Sequence, residues 1–335
     1  MRSKFERCGV EGVQRFAAVD GQQAIVPANW SDSPGAYGCL RSHLEIIMEA
    51  RQLGWPNVLI FEDDAALDPE LHEKFSAYFQ QVPADWEMLH FGANHMAAPV
   101  GVSANVVRIT SANSTFAYAL NAAVFDSFIE LNTRALTAVD LNNRTLQTEH
   151  ACYCFMPHLA WVEDLSSDVQ VRQKYHWYLK ESLVLHGTEM DQILAQTAVI
   201  IKRTANDSEN LQFLTSFYQK YLPGIEVAAD SDRSFLIFTD SNVFVEEWDI
   251  RGNLRMCERF DCATGFRSLV ELTPAATRML RTSKPMILTP WFDANDYQRS
   301  EKREPFERFS IFRRDAVSRR ELRVFESPND ALLMA

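Results

Sequence analysis

Hydrophobic positions along the chain fall into short blocks that alternate between two periods. Leu40, Leu44, Ile47 and Met48 recur at helical spacing behind a Pro34-Gly35 turn and predict an amphipathic helix over 34–50. Val58-Leu59-Ile60-Phe61 is an unbroken apolar run, which predicts an interior strand of a parallel sheet covered on both faces. Helical spacing returns at Leu71, Phe75 and Phe79, and a strand is expected over 86–92. The junction over 175–196 is too apolar for a flexible linker and reads as a packed helical connection. The pattern then restarts: a β-branched strand from Thr197, an amphipathic helix over 206–221 and a second strand over 225–230. That β-α-β order predicts a parallel pair joined by a right-handed crossover.

The run at 58–61 ends in three successive carboxylates, Glu62, Asp63 and Asp64. Open α/β sheets place ligands at the carboxyl ends of their strands. Three like charges held together gain most from a divalent cation, and hard oxygen ligands favour Mg²⁺ or Mn²⁺ with positions left for a substrate's phosphates. The competing account is that the three acidic residues only cap the segment that follows.

Length and composition narrow the classes. A chain of 335 residues suits two domains, and 47% hydrophobic with 23% charged residues is the balance of a globular protein. A formal net charge of -12 argues against a general nucleic-acid or anionic-membrane binder. It leaves room for an anionic small substrate, because a local metal reverses the sign of a site. No apolar run reaches bilayer length and Met1-Arg2-Ser3-Lys4 is not followed by a signal-peptide core, so the expected location is cytoplasmic, with peripheral association at the inner membrane face. The six cysteines lack CxxC spacing and are expected as buried reduced thiols, with metal binding at Cys152-x-Cys154 the lesser alternative. His90 and His95 are read as structural, His90 as a satisfied residue on an alternating strand.

Several elements in order carry a family resemblance. Gly35-x-x-Gly38-Cys39-x-x-Ser42-His43, then a helix, then an apolar strand ending in Glu-Asp-Asp, resembles glycosyltransferase family 25, which includes bacterial lipooligosaccharide galactosyltransferases and the collagen galactosyltransferases. The likeness extends over about residues 1–175 through Asp85 and Gly92, through Ala117, Tyr118 and Asn121, through Val139-Asp140 and through Ser167-Asp168-Val169. It implies a GT-A fold, a Rossmann-like α/β sheet that binds a UDP-sugar through an acidic DXD-type motif and Mn²⁺ or Mg²⁺. It implies inverting transfer of a hexose, with galactose the family expectation, to a hydroxyl of a surface-glycan or lipopolysaccharide acceptor. Asp64 and Glu62 would then hold the metal, with Asp63 beside the diphosphate, while Gly35, Gly38, Ser42 and His43 shape the donor pocket. For the general base, Asp140 is preferred and Asp168 is second.

The second half resembles the opening of a family 2-type GT-A glycosyltransferase, with Asp240-Ser241-Asn242 in the place of a DXD motif whose last carboxylate has become an amide. The expected organisation is a family 25-like domain over 1–175, a helical connection over 176–196 and an abbreviated, degenerate GT-A-like α/β domain over 197–335. Trp291-Phe292-Asp293 reads as core or interface rather than a sugar-stacking surface, and the basic stretch 303–323 as a solvated face. The alternative from another class is a non-catalytic glycan- or nucleotide-binding protein derived from such an enzyme. Asn242, and an opening directly at Met1-Arg2-Ser3-Lys4 where the family has a hydrophobic strand and an Arg-rich turn, would suit it.

Overall fold

The computed structural model describes residues 2–134, 137–162, 176–203, 208–264, 268–272, 274–282, 297–299, 309–316, 324–326 and 330–333. The described residues up to 184 form one compact unit and those from 185 a second. Both are mixed α/β.

The first unit contains α1 (Arg2–Arg7), α2 (Pro34–Gln52), β1 (Asn57–Phe61), β2 (Ala65–Leu67), α3 (Leu71–Phe79), β3 (Met88–His90), β4 (Asn94–His95), β5 (Val100–Gly101) and β6 (Val106–Arg108). It continues with β7 (Ala112–Asn113), β8 (Ala117–Asn121), α4 (Phe125–Arg134), α5 (Val139–Glu149), β9 (Cys152–Phe155), β10 (Ala160–Val162) and α6 (Trp177–Lys180). Its main sheet has the order β1-β8-β3-β9-β6-β5. Because β8 is antiparallel to both β1 and β3, and β9 is parallel to β3, the strands β1, β3 and β9 run the same way and end at the same edge of the sheet.

Strand alternation divides the core into two layers. Val58, Ile60, Met88, Tyr118, Leu120, Cys152 and Cys154 join Leu40 and Ile47 of α2, Phe128 of α4 and Leu146 of α5 in one cluster. An aromatic set forms the other layer: Phe61 lies 5.7 Å from Phe91, which stacks on Phe75 of α3 at 5.5 Å and meets Phe155 edge-on at 5.3 Å. Phe5 of α1 packs edge-on against Phe61 at 5.2 Å.

One sequence expectation is corrected here. The run 58–61 is not an interior strand of a parallel sheet: β1 is the outer strand among the described residues, its neighbour is antiparallel, and Leu59 remains 42% exposed. An apolar run reports burial of the strand as a whole, and here only the alternate residues Val58 and Ile60 are buried. Asp140 lies in the first turn of α5.

α2 begins where the chemistry of its first residues requires. Ser33 accepts the Ala36 amide at 3.0 Å as the cap, and Pro34 follows at the first helical position. The coil at 19–21 crosses this helix so closely that a Cβ on Gly38 would meet the Val19 carbonyl oxygen at 2.5 Å and the Gly21 nitrogen at 2.7 Å. Ser42 fastens the crossing, its hydroxyl accepting the Val19 amide at 2.8 Å and donating to the Gly38 carbonyl at 2.7 Å.

The second unit contains α7 (Thr188–Ala195), β11 (Thr197–Lys202), α8 (Ser208–Tyr221), β12 (Glu226–Val227), β13 (Phe235–Asp240), β14 (Val243–Phe244), α9 (Glu247–Met256), β15 (Cys262–Thr264) and β16 (Ser268–Leu272). It ends with α10 (Pro274–Thr282), β17 (Tyr297–Arg299), β18 (Phe309–Arg313), β19 (Val324–Glu326) and β20 (Asp330–Leu333). Its two sheets have the orders β12-β11-β13-β18-β15-β19 and β14-β20-β16-β17. The anticipated parallel pairing is present, with β11 between β12 and β13 and parallel to both. Arg251 is buried in this unit and fully employed, bonding Glu247 at 2.8 Å and the carbonyls of Leu185 and Tyr221 at 3.2 and 3.0 Å.

Gly38→Ala is expected to destabilise the chain by about 1–3 kcal/mol, because the atoms it would strike are backbone and cannot rotate away. Chemical denaturation checks this against Gly101→Ala, where nothing lies within 4 Å of the added carbon and the change should be small.

Candidate functional site

The carboxyl end of β1 gathers several ionisable groups of the first unit. Glu62 follows the strand directly, and two donors converge on its Oε1: Thr115 Oγ1 at 2.6 Å and His43 Nε2 at 3.1 Å. Thr115 precedes β8, and Ser114 before it holds a left-handed backbone with φ 98°, an unfavourable conformation for a residue with a side chain. The other ring nitrogen of His43, Nδ1, lies 2.9 Å from the Tyr118 hydroxyl. The Glu62 carboxylate thus sets the tautomer: Nε2 carries the proton, and in the neutral ring Nδ1 accepts from Tyr118. Burial first, and then the charge of Glu62, pushes the Tyr118 phenol far up and keeps it a donor.

The three carboxylates have three different environments. For Glu62, burial raises the pKa, but the hydrogen bonds from His43 and Thr115 and the pairing with His43 outweigh it, and the net shift is downward. Asp63 is exposed. Asp64 is pushed up to about 6, first by burial and then by the charges of Glu62 and Asp63, with Lys4 only partly offsetting them. Asp64 Oδ1 is buried and has no hydrogen-bond partner among the described residues.

Asp140 approaches from the start of α5. Its Oδ1 accepts the Leu141 amide at 2.9 Å. Burial, followed by the charges of Glu62 and Asp32, raises its pKa against the bonds from the Leu141 and Ser114 backbone. The thiol of Cys39 is also pushed well up, by burial and then by Glu62, Asp140 and Asp64. Cys39, His43 and Glu62 each offer a ligand atom within 4.8 Å of the others.

The structure therefore brings Glu62, Asp64, His43 and Asp140 into one electrostatic neighbourhood. Gly35 lies in the first turn of α2, while Gly38 and Ser42 hold the 19–21 crossing. Asp168 lies outside the described residues, as does Trp291-Phe292-Asp293. Sequence reasoning did not find the Thr115 and His43 bonds to Glu62. Helical spacing put Cys39 and His43 on one face of α2, but their distance from residue 62 depends on how α2 packs on β1. In the second unit, Asp240 and Ser241 are buried at the end of β13, and Asn242 has a buried amide oxygen without a partner among the described residues.

The donor set fits a divalent cation. An orphaned carboxylate oxygen on Asp64, beside a second carboxylate that raises its pKa, is an arrangement that a bound positive charge would relieve. Residues 14–141 match the family model described as glycosyltransferase family 25 (LPS biosynthesis protein), so this segment is similar to the glycosyltransferases of that family. The match contains His43, Glu62, Asp64, Thr115, Tyr118 and Asp140. No curated protein matches the chain significantly. No described helix is long and apolar enough to cross a membrane.

The raised Asp64 pKa has a consequence for stability. Its charged form is disfavoured in the folded state, so the stability that Asp64 contributes is complete below its unfolded value near 3.8 and is lost as pH rises through about 6. In metal-free protein, Asp64→Asn should therefore stabilise the chain at pH 8 by up to about 3 kcal/mol, the equivalent of roughly two pKa units. The gain should vanish below pH 4, as measured by denaturation in the presence of a chelator.

Proposed function

We propose that the first unit is a metal-dependent, inverting GT-A glycosyltransferase that moves a hexose, galactose by family expectation, from a UDP-sugar to a hydroxyl of a surface-glycan or lipopolysaccharide acceptor. The observation that carries the proposal is the meeting of Glu62, the orphaned oxygen of Asp64 and the raised-pKa Asp140 at one strand end, within the segment that matches the family. In this reading Asp64 and Glu62 hold Mn²⁺ or Mg²⁺, which offsets the charge of the diphosphate. His43 and Thr115 fix Glu62 by binding one of its oxygens, which leaves Oε2 for a ligand. Asp140 accepts the proton of the acceptor hydroxyl as the new bond forms. A carboxylate whose pKa is raised is a stronger base for that step. The second unit, with an amide at Asn242 where a carboxylate would ligate more strongly, is proposed as a degenerate GT-A-like domain that holds acceptor or partner rather than donor.

Thermal unfolding of the purified chain with and without Mn²⁺, against UDP-, GDP- and CMP-sugars, tests the donor site, because a ligand of the folded state raises the midpoint by mass action. The expected result is a Mn²⁺-dependent shift with a UDP-hexose that is lost in Asp64→Asn. Asp140→Asn should keep that shift while turnover falls by about 10²–10⁴. An absence of any donor-dependent shift would instead favour a non-catalytic glycan-binding protein. Loss of turnover in Asp240→Asn alone would move the chemistry to the second unit.

A further inference from the structure

A second group of ligating side chains lies at the same edge of the sheet, among residues to which the proposed transfer reaction assigns no role. His95 ends β4 beyond β3, Cys154 is on β9, and His158 follows β9. All three are buried, and each offers a ligand atom within 4.8 Å of the others. The two imidazoles face each other, Nε2 to Nε2, at 3.4 Å. Gly92 permits this approach. A Cβ there would meet the Ala160 carbonyl oxygen at 2.1 Å and His158 Cβ at 3.2 Å, so any larger residue would push apart the two segments that carry the histidines.

We propose that His95, Cys154 and His158 form a binding site for a transition-metal cation of the zinc type. Three features of the site support this, beginning with distance. Two nitrogens at about 2.05 Å from a tetrahedral zinc stand about 3.3 Å apart, close to the separation observed. His158 has the partner that metal-bound imidazoles ordinarily have, since its Nδ1 donates to the Leu179 carbonyl at 2.8 Å and directs the Nε2 lone pair at His95 Nε2, whose hydrogen bond a bound cation would replace. His95 Nδ1 is buried with no hydrogen-bond partner among the described residues, so the protein alone does not satisfy this ring.

His90 lies beside the group. It pairs in register with Cys154 and Tyr118, and its Nδ1 is also buried and unpartnered among the described residues. The expectation of a satisfied structural histidine is corrected: its Nε2 faces only the Met88 sulfur, at 3.2 Å. The soft thiolate and imidazole set selects a different metal from the carboxylates at Glu62 and Asp64, which suit Mg²⁺ or Mn²⁺. Metal binding would deprotonate the Cys154 thiol and release that proton to solvent.

Cobalt substitution of the full chain tests the site. Metal-free protein titrated with Co²⁺ should bind about one ion with a thiolate-to-cobalt charge-transfer band and the visible bands of a tetrahedral centre. Cys154→Ser should lose the charge-transfer band while retaining the wild-type far-ultraviolet circular dichroism. Cys39→Ser and Asp64→Asn should keep the band, which separates this site from the carboxylate site and from Cys39. Elemental analysis of protein purified without chelator should find zinc at about one equivalent, displaced neither by Mn²⁺ nor by Mg²⁺. The proposal is overturned if Co²⁺ gives no charge-transfer band, if the band survives in Cys154→Ser, or if it disappears in Cys39→Ser instead.

Discussion

Three adjacent carboxylates at the end of one strand are the constraint around which the first unit is arranged. Left alone they would repel one another, and burial would add to the cost. The fold gives each a different solution. Glu62 is held ionised by two donors, Asp63 is released to solvent, and Asp64 is retained with an oxygen that nothing else in the described chain satisfies. The donors to Glu62 arrive from elements far apart in sequence: His43 from α2 and Thr115 from the segment before β8. The packing of α2 over β1 and the pairing of β1 with β8 are therefore needed for the charge pattern as much as for the core.

Much of this was legible in the sequence, with limits that have physical causes. The helical spacing of Leu40, Leu44 and Ile47 located α2, and the Ser33-Pro34 pair explains where it starts. Thr197 and the β-branched residues after it marked β11, and the β-α-β order correctly implied its parallel pairing with β12, though not the second parallel neighbour β13. The direction of β8 relative to β1 was not legible, because an apolar run carries the same residues in a parallel or an antiparallel pair. The site divides along the same line. Glu62, Asp64 and Asp140 are chemically conspicuous as residue types, whereas Thr115 and Tyr118 become significant only through the register that sets Tyr118 opposite Ile60.

Glycines show how an ordinary packing requirement becomes a condition for chemistry. Gly38 carries no functional group, yet it lets the coil at 19–21 lie against α2, and α2 supplies His43 and Cys39. Gly92 has the equivalent place between β3 and the chain after β9. In both places the close approach is of backbone to backbone, so the constraint cannot be relieved by a side-chain rotation. Sequence alone shows such a glycine as a turn former. The structure shows it as the position that determines how far apart two sets of side chains stand.

The two clusters share one row of the sheet. Ile60, Tyr118, His90 and Cys154 lie side by side in register on β1, β8, β3 and β9. Tyr118 stacks with His43 at 5.6 Å and with His90 at 5.7 Å. Burial keeps the Tyr118 phenol protonated and, with the neighbouring His158, holds His90 down to about 4, so the rings between the clusters stay neutral. A neutral aromatic spacer matters in such a place, because a charge there would interact strongly with both sides at the low dielectric of a protein interior. The row lets a carboxylate-rich cluster and a histidine–cysteine cluster occupy one sheet edge with neutral rings between them.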